Sequence, residues 1–196
     1  MARMSGIAGS MVVIAALLAM PLWAAESVSG RFLVAEPDLG GSPFGQTVIL
    51  MFEHGDAGAV GVVVNRPVEE LALSDIVDEP PDAIADRRVE LYSGGPVEEN
   101  SLITLHDEGF EAEGTESVAE GIATSPLGEV LEAMADERGP EELRLYAGYA
   151  GWAPEQLEGE FARDSWHVIP ADAGLVFSRA PGAVWDEATR RRQTDL

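Results

Sequence analysis

The chain has 196 residues, of which 46% are hydrophobic, enough for one domain with a substantial core. It contains no cysteine, which excludes disulfide frameworks, thiolate zinc sites and cysteine nucleophiles. Its 35 acidic residues outnumber 12 basic residues, all arginine, so the formal net charge is -23. Such a chain repels nucleic-acid phosphates and anionic lipids, and no direct nucleic-acid contact is expected. The dense basic run at residues 190–192 is interpreted as the solvated end of a terminal helix.

The N-terminus is typical of a secretory signal. Arg3 is the only charged residue before Glu26, and the apolar run between them is broken at Pro21, ahead of small residues. The sequence therefore predicts an export signal over residues 1–25, a single domain over residues 26–196, and a periplasmic or exported protein. Two alternatives stay open. An uncleaved leader would be the chain's one contact with a membrane, and a misassigned start codon would leave the protein cytoplasmic.

After the leader, short apolar runs predict a series of β-strands. Residues 47–52 and 59–64 are rich in β-branched side chains and flank a glycine-containing turn, which predicts a hairpin. Both runs are apolar on both faces, so we expect this hairpin to lie inside the fold. Further strands are predicted at residues 31–35, 89–92, 101–105, 117–119, 143–147 and 166–169.

Helical periodicity is clearest between Pro126 and Arg138, where four apolar residues recur at the 3.6-residue period. Ser125 is the expected N-cap of this helix. Shorter helices are predicted at residues 71–77, 154–163 and 184–192. Consecutive strands with few helices between them predict an α+β fold.

Two polar corners follow predicted strands. Asn65 and Arg66 leave the hairpin, and an arginine there can hold a carboxylate or a phosphate. An internal salt bridge is the simpler explanation. Gly94, Gly95 and Pro96 follow another strand, where backbone amides can bind an anion. A tight turn explains these three residues equally well.

A third cluster combines aromatic, glycine and polar residues. It comprises Tyr149, Gly151, Trp152, Gln156 and Glu160. The two aromatic side chains can line a ligand pocket or a protein-binding surface. Core packing at a strand–helix corner is the alternative.

The chain has three histidines, His54, His106 and His167, each near an acidic residue. Their separations match no metal-ligand spacing, so we expect hydrogen-bonded histidines and no metal site. The sequence shows no cofactor motif and no recognisable catalytic set.

Taken in order, these stretches resemble the YqgE/AlgH family of bacterial single-domain proteins. The matching stretches are residues 30–35, 53–54, 61–67, 94–97, 105–106, 124–125, 130–131, 148–152 and 156–160. The resemblance implies a bent, branching, mostly antiparallel sheet that forms a pseudo-barrel with flanking helices. It implies no established enzymatic activity, and some members are described as regulators of transcription. Members begin near the first strand and are taken to be cytoplasmic, so the apolar leader departs from the family pattern.

We therefore expect a non-catalytic binding or regulatory module that binds another protein or a small anion. The candidate binding residues are Asn65, Arg66, Gly94, Gly95, Pro96, His106, Tyr149, Gly151, Trp152, Gln156 and Glu160. One alternative is an enzyme for a small anionic substrate, with Arg66 as the anchor and His106 or Glu160 as the proton carrier. The other is a regulator that affects transcription without contacting DNA.

Overall fold

The structure is a computed structural model that describes residues 27–39, 42–178 and 180–192. The predicted export signal lies outside these residues. The strands of the described part are β1 (Arg31–Ala35), β2 (Val48–Gly55), β3 (Gly58–Val63), β4 (Pro67–Ala72), β5 (Arg88–Ser93), β6 (Val97–Asp107), β7 (Glu116–Ala119), β8 (Ile122–Thr124), β9 (Leu143–Trp152) and β10 (Trp166–Pro170). Its α-helices are α1 (Leu73–Ile76), α2 (Leu127–Ala135), α3 (Gln156–Phe161), α4 (Ala173–Phe177) and α5 (Pro181–Arg192).

The strands form one curled sheet whose main order is β10-β1-β2-β3-β9-β6-β8-β7. The pairs along this path are antiparallel, whereas β5 runs parallel to β9. Since the right-handed twist accumulates from strand to strand, a sheet of this width curls on itself. With the flanking helices it makes a half-barrel, which confirms the predicted α+β class and the bent, mostly antiparallel sheet.

The sheet branches at β9. The first half of β9 pairs with β5, and its second half pairs with β3. Backbones crowd together at this branch. A Cβ on Gly94 would lie 2.2 Å from the carbonyl oxygen of Gly148, and a Cβ on Gly95 would lie 2.1 Å from the carbonyl carbon of Tyr149. Because a side chain at either position would collide with backbone, the Gly94-Gly95 motif is needed to build the branch.

Both faces of the sheet are covered, as the strand pattern shows. Phe32 and Val34 of β1 point into the interior of the curl, where α4 and α5 close the core, and Leu33 points to the opposite face. That opposite face packs against α3 through Leu157 and Phe161. A further cluster places α2 against β9. The hairpin of β2 and β3 is confirmed, and its strands are largely buried as expected.

Several element boundaries differ from the prediction. The segment before α1 is strand β4, so the helix predicted at residues 71–77 is confined to Leu73–Ile76. Strand β9 continues to Trp152, five residues beyond the predicted end at residue 147. Helix α2 is capped at Pro126 without a side-chain hydrogen bond, so Ser125 is not its N-cap. Strand β8 and helix α4 were not predicted.

Candidate functional sites

Trp152 and Glu160 meet under α3. The indole nitrogens of Trp152 and Trp166 both donate to Oε2 of Glu160, at 2.9 and 2.8 Å, and Gln156 Nε2 donates to Oε1 at 3.3 Å. Phe44 packs against both indole rings, with centroids 6.4 and 6.0 Å apart. Because Trp152 and Trp166 are only 6% and 5% exposed, this cluster fastens α3 to the sheet. The core-packing alternative therefore describes Trp152 and Glu160.

Tyr149 and Gly151 are strand residues, not loop residues, because β9 runs through them. Gly148 has a φ of +70°, which only glycine adopts easily, and β6 changes register opposite it. Tyr149 is half-buried at the rim of the interior core, whereas Gly151 is exposed beside its ring. Of the third cluster, Gly151 and Gln156 are exposed.

The side chain of Asn65 joins the segment after β3 to the segment that leads into β2. Its side chain accepts the amide of Val48 and donates to the carbonyl of Gln46, both at 2.9 Å. Arg66 Nη2 donates to the carbonyl of Gly45 at 3.2 Å. Within the described ranges no carboxylate forms an ion pair with Arg66, so these residues do not provide the internal salt bridge offered as the simpler explanation.

In the Gly94-Gly95-Pro96 motif, the backbone groups of Gly94 are already hydrogen-bonded within the branched sheet. The Gly94 amide donates to the carbonyl of Ala147, and its own carbonyl accepts the amide of Val63, both at 2.8 Å. Gly94 and Gly95 are buried, and only Pro96 is exposed. The Gly94 amide therefore cannot serve an anion without breaking the sheet.

His106 lies in a buried polar network at the end of β6. Its Nδ1 is 2.8 Å from the carbonyl oxygen of Asp107, and its Nε2 is 2.8 Å from Oγ of Ser125. Ser125 Oγ is 2.7 Å from the hydroxyl of Thr115, which accepts the amide of Ala112 at 2.8 Å. His106 is fully buried and Ser125 is 6% exposed.

Hydrogen-bond directions in this network follow from the groups involved. A carbonyl oxygen can only accept, so Nδ1 of His106 carries a proton. In the neutral imidazole Nε2 is then the acceptor, and it receives the hydroxyl proton of Ser125. The hydroxyl of Thr115 in turn donates to Ser125 Oγ. The network is an ordered chain of donors that ends on the imidazole.

The other two histidines join elements of the fold. His54 Nδ1 accepts the amide of Val28 at 3.2 Å, so its Nε2 donates to Glu158, 3.0 Å away. His167 Nδ1 lies 3.1 Å from Oε1 of Glu36, which also binds Arg192. Burial lowers the pKa of His167, and Glu36 partly opposes that shift. All three histidines are hydrogen-bonded, as expected.

The proposed enzymatic residues do not converge. His106 pairs with Leu143 at one end of β9, whereas Trp152 is at the other end, nine residues or about 30 Å along the strand. The Arg66 carbonyl accepts the Ser93 amide, so Arg66 lies level with Ser93 at the end of β5. From Arg66, His106 is about three strand spacings away across the sheet and about four residues away along the strands, so the backbones of Arg66 and His106 are roughly 20 Å apart. An enzyme that combines Arg66 with His106 therefore lacks its geometry.

The terminal arginines are engaged with the fold. Arg191 pairs with Asp172 and with Glu187, and Arg192 pairs with Glu36. Two of these partners are far from α5 in sequence, so the run fastens the last helix to β1 and to the start of α4. The predicted helix is confirmed, but its basic end is not simply solvated.

A groove remains where the curled sheet does not close. Its walls are the start of β1 with β2 on one side and β7 with β8 on the other. This seam groove, about 340 Å³, is lined by Ser29, Gly30, Phe52, Glu53, Glu116, Ser117, Val118 and Thr124. Phe52 and Val118 are half-buried and form an apolar floor, and Glu53 and Glu116 are exposed on opposite walls. Strand β7 is the last of its row and pairs with β8, and just beyond its end Glu120 forms an isolated parallel bridge with Asp172.

A second cleft, about 490 Å³, lies beside the His106 network. This Phe110 cleft is lined by Glu108, Phe110, Glu111, Ala112, Thr115, Ser117 and Ala123. Phe110 packs edge-on against His106, with ring centroids 5.1 Å apart. Thr115 belongs both to the cleft wall and to the polar network, so one hydroxyl separates the cleft from Ser125.

Sequence reasoning missed Ser125, Thr115 and the seam groove. Ser125 was assigned to helix capping, and its partners lie 10 and 19 residues away in the chain. No local signal links these residues, because strand β8, which leads the chain to Ser125, was itself not predicted. Among the described residues there is no group of three or more His, Asp or Glu side chains placed to hold a metal ion, and no helix long and apolar enough to cross a membrane.

Fold and sites together define a class: a curled-sheet α+β protein with a branched centre, an open acidic seam and a buried histidine network. A solved structure of the AlgH protein from Pseudomonas aeruginosa is similar, with a TM-score of 0.69 and 32% identity over 85% of this chain and 89% of that one. A Corynebacterium diphtheriae protein also has a TM-score of 0.69, with 28% identity over 89% of this chain and 94% of that one.

Sequence comparison assigns the family. The AlgH-like family matches residues 32–196, and a UPF0301 protein of Methylococcus capsulatus is 40% identical over 83% of this chain and 90% of its own. A UPF0301 protein of Rhodospirillum rubrum is 40% identical over 78% and 81%. The chain belongs to the AlgH-like family, which confirms the resemblance, and the match includes the C-terminal arginine run.

Proposed function

We propose that the chain is a binding module that holds an extended, basic segment of a partner protein in the seam groove. The observation that carries this proposal is the arrangement of the groove: two carboxylates on opposite walls, an apolar floor, and the last strand of the sheet along one side.

The charge of the groove selects the partner. Glu53 and Glu116 are exposed, and neither forms an ion pair with an arginine of the described ranges. Lysine or arginine side chains of a partner would meet a carboxylate on each wall. A second copy of this chain, with a formal net charge of -23, would be repelled. An anionic ligand is disfavoured in this groove for the same reason.

The shape of the groove selects an extended segment. An edge strand offers backbone amides and carbonyls to an added strand. Strand β7 lines the groove with the consecutive residues Glu116, Ser117 and Val118, and Phe52 and Val118 can receive the apolar side chains of such a segment. Any effect on transcription would then pass through the captured protein, since the acidic chain repels DNA.

Fluorescence anisotropy with two labelled peptides tests this proposal. The first alternates lysine and valine over eight residues, and the second replaces each lysine with glutamate. We expect the purified full chain to bind the lysine peptide at 20 mM NaCl, more weakly at 150 mM, and not to bind the glutamate peptide.

A charge-matched comparison locates the site. Replacing Glu53 and Glu116 with glutamine together removes two charge pairs at about 0.5–1 kcal/mol each, so Kd should rise roughly 5- to 30-fold. The control replaces the exposed Glu132 and Glu141 with glutamine, which changes the net charge equally. Equal weakening in both double variants, or no binding of the lysine peptide at 20 mM NaCl, would exclude the seam groove.

A further inference from the structure

We infer that Ser125 is an activated nucleophile that accepts an acyl group from a neutral or cationic ester. This inference is independent of the proposed binding function, because it concerns the junction of β8 and α2 and not the seam groove. The pairing of Ser125 with His106 supplies the central observation.

The geometry of the pair suits proton removal from the serine. The separation of 2.8 Å between Nε2 and Oγ is within the range in which a general base takes a proton. The carbonyl of Asp107 holds the imidazole in the tautomer whose Nε2 can accept that proton. This carbonyl orients the base, a task that a third group performs in nucleophile–base pairs generally. Asp107 is therefore a positioning residue.

The location of Ser125 also suits nucleophilic attack. It lies in a strand–turn–helix junction, between the end of β8 and the start of α2. The first intrahelical bond of α2 is donated by Val130, and no side chain caps the helix. The amides of the first turn therefore point toward the serine end of the helix, where they can stabilise negative charge on a carbonyl oxygen. A Cβ on Gly128 would meet nothing within 4 Å, so there is space beside these amides.

The Phe110 cleft is the route by which an ester would reach Ser125. Thr115 lines the cleft and donates to Ser125 Oγ, so an ester in the cleft would have to displace this one side chain to reach the nucleophile. Two glycines, Gly109 and Gly114, flank the loop that carries Phe110, and Gly114 has a φ of +80°. The charged side chains of the cleft are Glu108 and Glu111, which favour neutral or cationic esters over anionic ones.

The reaction is an acyl transfer. Ser125 Oγ attacks the carbonyl carbon of the ester while its proton passes to His106 Nε2. The bond between the carbonyl carbon and the leaving oxygen then breaks, and the departing alkoxide takes the proton from the imidazolium. The products are an acylated Ser125 and an alcohol, and His106 returns to its neutral form.

A biotinylated fluorophosphonate tests this assignment, because an activated serine displaces its fluoride and keeps the phosphonyl group. We expect intact-mass measurement of the full chain to show one added label, and peptide mapping to place it on Ser125. His106→Gln should slow labelling by about 10²- to 10⁴-fold, the contribution of a general base. Ser101→Ala, which removes an exposed hydroxyl elsewhere on β6, should leave the rate unchanged.

Three results would overturn the inference. They are an unlabelled wild-type chain under conditions that saturate chymotrypsin, a label mapped to another hydroxyl, and a His106→Gln variant that reacts at the wild-type rate. Mapping on the wild-type chain decides the question even if Ser125→Ala does not fold. If Ser125 is not labelled, the proposal of peptide binding in the seam groove still stands. If the peptides do not bind, the labelling of Ser125 still tests the nucleophile.

Discussion

The carboxylate of Glu160 offers a sharp test of how α3 is held on the sheet. Two buried indole N–H groups, those of Trp152 and Trp166, donate to the same oxygen at 2.9 and 2.8 Å. Glu160→Ala removes their acceptor. Both indoles are at most 6% exposed, so water has little access to replace it.

The magnitude follows from counting the donors left without a partner. A buried donor that loses its partner costs about 1–3 kcal/mol, so two donors predict a loss of roughly 2–6 kcal/mol in the free energy of unfolding. Glu160→Gln keeps an oxygen at the same position. Its amide oxygen can accept both indole bonds, whereas the bond from the exposed Gln156 and the charge assistance are lost, so we expect a loss of about 1 kcal/mol.

Urea unfolding followed by circular dichroism at 222 nm measures both variants. Glu132→Ala, at an exposed position on α2, is the control and should stay within about 0.5 kcal/mol of the wild type. The reasoning is refuted if Glu160→Ala also stays within that margin. It is equally refuted if Glu160→Gln loses as much stability as Glu160→Ala.

Three further predictions concern packing and pH. A Cβ on Gly61 would lie 2.7 Å from the carbonyl oxygen of Leu50, so Gly61→Ala should destabilise the fold by about 1–3 kcal/mol. Gly128 in α2 has open space around it, so Gly128→Ala should stabilise the fold by about 0.5–1 kcal/mol. Urea unfolding midpoints that rank the two variants the other way would contradict this prediction. His167 has a lowered pKa in the folded state, so below about pH 6.5 the unfolded chain binds more protons and the free energy of unfolding falls. Between about pH 7 and 5 this free energy should fall less in His167→Gln than in the wild type. An equal fall would show that His167 does not contribute. Burial raises the pKa of Tyr92 and Tyr146, so the unfolded chain releases these protons at a lower pH than the folded chain. The free energy of unfolding should therefore fall as the pH rises above about 10. A thermal midpoint that is the same at about pH 9 and pH 11 would exclude this contribution of the two tyrosines.

The strands with the strongest local pattern were the easiest to predict. Residues 32–35 are apolar and residues 166–169 include tryptophan, valine and isoleucine, and the two segments pair as β1 and β10. Strand β4 was missed because its exposed, glutamate-rich sequence at residues 67–72 favours helix, and only its pairing with β5 makes it a strand. Tertiary context overrides local propensity at such an edge.

The candidate residues show the same division. The motif at Gly94 and Gly95 was recognised as unusual, but its reason lies in β9, which is 50 residues further along the chain and approaches too closely for side chains. Asn65 and Trp152 were likewise found to be special, and both turn out to hold elements of the fold together. Ser125 was misassigned because His106 and Thr115 reach it only after β6, β7 and β8 have paired.

The amino-acid sequence by itself determined the α+β class, the family, the acidic charge and the positions of the main apolar runs, since these depend on composition and on periodicity over a few residues. The tertiary structure decided where the sheet branches, where it stays open, and which hydroxyl meets the buried imidazole. Those outcomes depend on contacts between segments tens of residues apart, and no local pattern specifies which distant backbone or side chain will arrive there.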